Sequence, residues 1–269
     1  MRIHLYTQSL NEAAVLGFFF RHYDPWIERY IVFDDGSKDG TLDLLAQHGR
    51  VEIRRFERVI ADSFVASAQK LHNTAWMESR GKADWVIITA IDEHLYHPQL
   101  PDYLRRCRAA GVTLIPALGY EMVAPEFPPA DALLCRSLTL GMPHREMNKL
   151  SIFNPNAVES TNYGAGRHSA KPVGDLVFPN RDELLLLHYK HLGLEYTMGR
   201  QKILATGMGK GDHDSGWGTQ YSAAETKKTA VFTKLLEQAS DILTSGRDHH
   251  ASHGAYRWWR PPYRFVEVP

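Results

Sequence analysis

Apolar positions in the first 120 residues fall into short continuous runs separated by amphipathic stretches. Arg2 to Thr7 predicts a first strand, and Asn11-Glu12 opens a helix whose apolar positions are Val15, Leu16, Phe18, Phe19 and Phe20. Tyr30 to Phe33 is a β-rich run that stops at Asp34-Asp35 and a turn in which Gly36 and Gly40 relax the backbone. Asp39 or Thr41 is placed to cap a helix through Leu45, and Val51 to Arg54 alternates as a third strand. Phe64, Ala68, Leu71 and Ala75 recur at helical spacing until Gly81. Trp85 to Ala90 is a second strongly apolar strand, ending at Ile91-Asp92-Glu93-His94.

This alternation predicts βαβ units and an α/β fold, with a mostly parallel central sheet flanked by helices. Leu114 to Tyr120 reads as a strand leading to Glu121. Beyond it the regularity fades: Pro125, Pro128 and Pro129 mark a loop, and Asn154 to Pro179 shows no period. Leu184 to Tyr189 returns as a buried strand that delivers His188 at its end. A polar loop is expected from Gly207 to Gly218 and a helix from Ala223 to Ser245. We expect a single domain, with a core over residues 1–205 and a packed C-terminal elaboration over 206–269.

Composition narrows the function. Lys plus Arg and Asp plus Glu are both 31, so no global field draws the chain to nucleic acid or an anionic membrane. Cys107 and Cys135 have no metal-type or disulfide-framework spacing, which makes a reducing cytoplasm the expected compartment. The first residues turn polar too soon for a signal peptide, and no apolar run is long enough to span a bilayer. The tail from Tyr256 to Phe265 alternates aromatics with arginines. Packing on the domain is its first reading, and peripheral contact at the inner face of a membrane its second.

Ligands of open α/β sheets bind beyond the carboxyl ends of the strands, where both acid pairs fall. If the first strand lies between the two acid-tipped strands, their carboxylates stand roughly 10 Å apart, a span suited to a nucleoside diphosphate. Gln8-Ser9-Leu10-Asn11 replaces a Gly-rich dinucleotide fingerprint, and the chain has no GxxxxGK[ST] loop, so a nicotinamide or ATP site is not expected. The glycine turn before Arg167 and His168 can carry both toward a diphosphate. Glu121, after a strand-like run, is the first candidate for a catalytic carboxylate, with Glu126 and Asp214 as competitors, and Trp217 stands between two glycines with an aromatic face to offer.

Taken in order, Asn11-Glu12, Asp34 to Thr41 (DDGSKDGT), Asp92-Glu93 and His188-Tyr189-Lys190 resemble the motifs of family-2 glycosyltransferases of the GT-A (Rossmann-like) fold, in particular a bacterial branch. Gln69 and Asn73 suit the same pattern. The resemblance covers roughly residues 2–205. It implies an inverting, metal-assisted transfer of sugar from a nucleoside-diphosphate donor to a glycan, lipid-linked or protein acceptor. It further implies that Thr7, Asn11, Glu12, Asp34, Asp35, Ser37, Gln69, Asn73, Arg167 and Lys190 contact the donor, and that Asp92, Glu93, His188 and His168 hold Mn2+ or Mg2+. One departure stands out: the usual Asp-x-Asp reads Ala90-Ile91-Asp92. The alternative is therefore a catalytically inactive protein of the same fold that binds a nucleotide sugar or a partner, and a nucleotidyltransferase is a remoter third.

Overall fold

A computed structural model describes residues 1–60, 62–243, 246–254, 257–260 and 263–269. Its centre is a mixed sheet of ten strands. Strands β1 (Ile3–Ser9), β2 (Arg29–Asp34), β3 (Val51–Arg55) and β4 (Trp85–Ile88) form a wholly parallel half in the order β3-β2-β1-β4. Hence β1 does lie between the two acid-tipped strands, paired with both. The runs Tyr30 to Val32 and Trp85 to Ile88 are almost completely buried, each large side chain contributing about 1.5–3 kcal/mol of transfer free energy.

The other half is built from β5 (Glu93–Tyr96), β6 (Leu114–Ala124), β7 (Leu140–Pro143) and β8 (Lys149–Phe153). Strand β8 pairs antiparallel with both β4 and β6 and so joins the halves. Three short strands follow, β9 (Val158–Ser160), β10 (Val173–Gly174) and β11 (Val177–Pro179), inside the tract that lacks periodicity in sequence. Strand β12 (Leu185–Leu192) inserts between β5 and β6, antiparallel to the first and parallel to the second. His188 therefore sits within a strand, at a register irregularity, rather than at its end.

Helices α1 (Ala13–Tyr23), α2 (Thr41–Ala46), α3 (Phe64–Thr74) and α4 (Leu100–Ala109) connect the early strands. Gly40, at φ 91°, takes the cap position of α2, while Asp39 accepts from the Thr41 amide beside it. The stretch before Gly81 continues past α3 as a 3-10 turn, Ala75–Ser79. After α5 (Leu134–Ser137) and α6 (Leu194–Gly207), the polar loop contains a short helix, α7 (Lys210–Asp214). Asp212 of α7 accepts from the amides of Phe64 and Val65, capping α3 from a distance in sequence that no local pattern reveals.

The expected C-terminal helix is α8 (Glu225–Gln238), followed by β13 (Ser240–Asp241) on the edge beside β7; Ser245 lies outside the described residues. A final helix, α9 (His249–His253), precedes β14 (Arg264–Val266), which pairs with β11. Trp259 is fully buried and donates to Asp182 at 2.9 Å, and Arg257 and Arg260 reach the same carboxylate. The described part of the tail thus packs on the domain, whereas Tyr256, Pro261 and Pro262 lie outside the described residues. A boundary at 205 falls inside α6. Among the described residues, no helix is long and apolar enough to cross a membrane.

Candidate functional site

At the carboxyl ends of β1 and β4 lies a cavity of about 570 Å³, walled by Ser9, Glu12, Thr89, Asp92, Glu93, Glu121, Lys149, Arg167, His188, Lys190 and Arg200 among others. Its geometry follows from what happens after Ile88. The strand stops, Thr89 donates its hydroxyl to the Glu93 carbonyl, and the chain turns through Ile91-Asp92 into β5. Asp92 is consequently held in a tight turn at the cavity wall, and Glu93 begins the next strand instead of closing the previous one.

Glu93 points inward to two cations. Lys149 Nζ lies 2.6 Å from one oxygen and Arg167 pairs with the other, and all three side chains are at most 5% exposed. Arg167 occupies a left-handed conformation (φ 59°) after Gly166 and also donates to the Ile88 carbonyl at 2.7 Å. Burial alone would raise the Glu93 carboxyl; the opposing pull of Arg167 and Lys149 holds it well below the usual range.

A second charged group surrounds Glu121 on β6. One of its oxygens stands 3.2 Å from His188 Nδ1 and 3.3 Å from His191 Nε2, and the other stands 3.0 Å from His144 Nδ1. The far nitrogen of His188 is 3.4 Å from Asp92. Burial opposes a charge on His188, yet Glu121 and Asp92 push its pKa up to about 10. Glu121 is driven the other way: burial raises it, and His188 with the other two imidazoles brings it well below the usual range. Asp92 is lowered in the same sense, against its burial, mainly by His188.

Glu12 and Arg200 form a third pair at the cavity wall. Burial pushes the Glu12 carboxyl upward against the pull of Arg200. Its Oε2 is buried with no hydrogen-bond partner among the described residues, a state that costs free energy unless a ligand relieves it.

The remaining candidates lie elsewhere. Asp34 uses its carboxylate inside the turn, accepting from the Ser9 and Ser37 hydroxyls and, at 2.8 and 2.9 Å, from the Gly36 and Ser37 amides. Four donors fill the lone pairs of a carboxylate, so Asp34 has no capacity left for a nucleoside. Asp35 pairs with Arg58, which also donates to the Gly207 carbonyl. Asn11 and Ser37 bind each other across the turn, and Thr7 faces a small separate void. Gln69 and Asn73 bind the backbone of Tyr163 and so brace α3 against the following segment. Glu126 lines a different cavity and Asp214 is exposed. Trp217 is half-buried and belongs to none of the larger cavities described here.

Of the four residues that the resemblance assigns to a divalent ion, Asp92 and His188 stand together at the cavity wall, while Glu93 and His168 have other partners. Both oxygens of Glu93 are engaged by Lys149 and Arg167, and His188 stands between the carboxylates of Asp92 and Glu121. His168 turns Nδ1 to the Glu146 carbonyl at 2.7 Å. Among the described residues, no three His, Cys, Asp or Glu side chains are arranged to hold a metal ion. Sequence reasoning also missed Lys149, Arg200, Arg58 and His144. Each acquires its role from a partner 23 to 188 positions away, and none carries a local motif.

No family model and no curated protein matches the chain. Among solved structures it is similar to S. aureus TarS 1-349, with 8% identity and a TM-score of 0.44 over 77% of this chain and 65% of that one. It is similar also to TarS 1-349 in complex with UDP-GlcNAc, with 8% identity and a TM-score of 0.42 over 88% and 72%. The chain spans less than two thirds of the first of these. These values are too low to carry an argument about the site, which rests on the geometry above.

Proposed function

We propose that the protein is a glycosyltransferase that moves a sugar from a nucleoside diphosphate to an acceptor hydroxyl with inversion. The observation that carries this reading is the wall of the main cavity. There the unpartnered, buried Glu12 oxygen, an acceptor suited to a sugar or ribose hydroxyl, faces the same space as Lys149, Arg167 and Lys190, which suit a diphosphate. Asp35 retains lone pairs beyond those used by Arg58 and is the better of the two turn acids for the nucleoside.

In the step itself, the acceptor oxygen forms a bond to the anomeric carbon on the face opposite the diphosphate. The bond from that carbon to the phosphate oxygen breaks, and its electron pair leaves with the diphosphate. Arg167, Lys149 and Lys190 meet the charge that develops there. Glu121, held strongly anionic by its three imidazoles, is a poor proton acceptor but a good anchor for a ring. We assign the hydroxyl proton to His144, with Glu121 orienting it.

The test is calorimetric titration of uridine, guanosine, adenosine, cytidine and thymidine diphosphates, followed by turnover assays with the matching nucleotide sugars. Binding of one diphosphate with release from its sugar conjugate is expected. Absence of binding in every case overturns the reading. Binding without turnover favours the inactive alternative, which Ala90 supports.

A further inference from the structure

We infer that a second cavity beside the first holds the acceptor and selects one carrying an anionic group, a phosphate or a carboxylate. This rests on the glycosyltransferase reading and goes further by naming the acceptor class. The cavity measures about 720 Å³ and shares Glu121, His144, Lys190 and Gln220 with the main one. An acceptor seated in it therefore meets the donor at the residue assigned to take its proton.

The lining is positive. Lys190, Lys227 and Lys228 face it, and Glu121 is the one carboxylate among its wall residues, already paired with His188. Lys190 lies over the Tyr221 ring at 5.6 Å, and Lys228 donates to the Tyr221 carbonyl at 2.6 Å, which leaves that ammonium two further donors. His191 lines the same wall with its side chain 7% exposed, and its Nδ1 has no hydrogen-bond partner among the described residues. A buried, unpartnered ring nitrogen in a wall that also carries three lysines marks a place for a polar ligand. Met142, Val231 and Leu235 form an apolar side suited to a sugar ring or an aliphatic stem.

Glucose, glucose 6-phosphate and glucuronate are probes that share a ring and differ in charge. They are titrated into protein saturated with pyrophosphate, so that the main cavity is filled. The two charged sugars should bind at least about tenfold more tightly than glucose. The double variant Lys227→Glu/Lys228→Glu should abolish that preference while leaving pyrophosphate affinity within about twofold. Because Lys228 also holds Tyr221, Lys227→Glu alone, at an exposed position on α8, serves as the milder variant and should reduce the preference about threefold. Equal binding of all three sugars, or an undiminished preference in both variants, overturns the inference. If pyrophosphate itself fails to bind, the donor reading falls, and the same comparison of sugars run without it still decides the second cavity.

Discussion

Lys149 Nζ and Glu93 Oε1 meet at 2.6 Å, in a place where the two side chains are only 5% and 3% exposed. Arg167 completes the group on the opposite oxygen. A buried carboxylate shared by two cations is replaceable as a set but not piecemeal, since removing one member leaves charge uncompensated in a low dielectric. Glu93→Gln should cost about 3–5 kcal/mol of stability, and Lys149→Met less, because Arg167 still neutralises Glu93. Urea denaturation checks the order; a Glu93→Gln midpoint equal to the parent's would remove the structural role assigned to this group.

His188 makes stability depend on pH. Its folded pKa, about 10, lies above the ordinary histidine value, so its contribution is complete below about pH 6.5 and fades as pH rises through 10. The unfolded chain gives up this proton first, which makes folding less favourable across that window. His188→Gln should flatten the decline between pH 7 and 10 measured by thermal unfolding. A parent whose stability is level over that window would contradict the clamp between Asp92 and Glu121.

The adjacent turn acids should separate cleanly. Asp34→Asn places amide hydrogens against donors that now need acceptors, and should destabilise the protein by about 1–3 kcal/mol without any ligand. Asp35→Asn breaks a pair whose arginine is 38% exposed, and should cost under about 1 kcal/mol. Nucleoside diphosphate affinity, by contrast, should fall in the Asp35 variant. Calorimetry and denaturation on the same two proteins give both readouts.

Chelation tests the cation question directly. With Glu93 and His188 committed to ion pairs, EDTA should change diphosphate affinity by less than about threefold, and added manganese should restore nothing. A loss of about tenfold or more on chelation would return the divalent ion that the resemblance implies. Asp92→Asn, which leaves His188 facing Glu121 alone, should then be judged by turnover rather than by metal dependence.

The parallel half of the sheet was legible because its strands are continuous apolar runs alternating with helices, whereas the place of β1 between β2 and β4 stood only as a condition until the strand pairing supplied it. The acids at Asp34-Asp35 and Asp92-Glu93 were legible as positions. Their partners were not. Glu93 reads as an available carboxylate until β8 brings Lys149 beside it, and Glu121 reads as a lone acid until three histidines from 144 to 191 gather round it. The short strands between 158 and 179 carry too few residues for a period to be visible, and the left-handed Arg167 has no composition signal beyond the glycine before it.

Strand β12 has to arrive after both of its neighbours, because it fills a gap between β5 and β6 and lies more than 60 positions beyond the second. During synthesis, a chain that has reached residue 160 can form the parallel half, yet it still lacks His188, Lys190 and every residue of α6 and α8. A cavity whose wall draws on residues from 8 to 221 should consequently be complete only once the last third of the chain has folded.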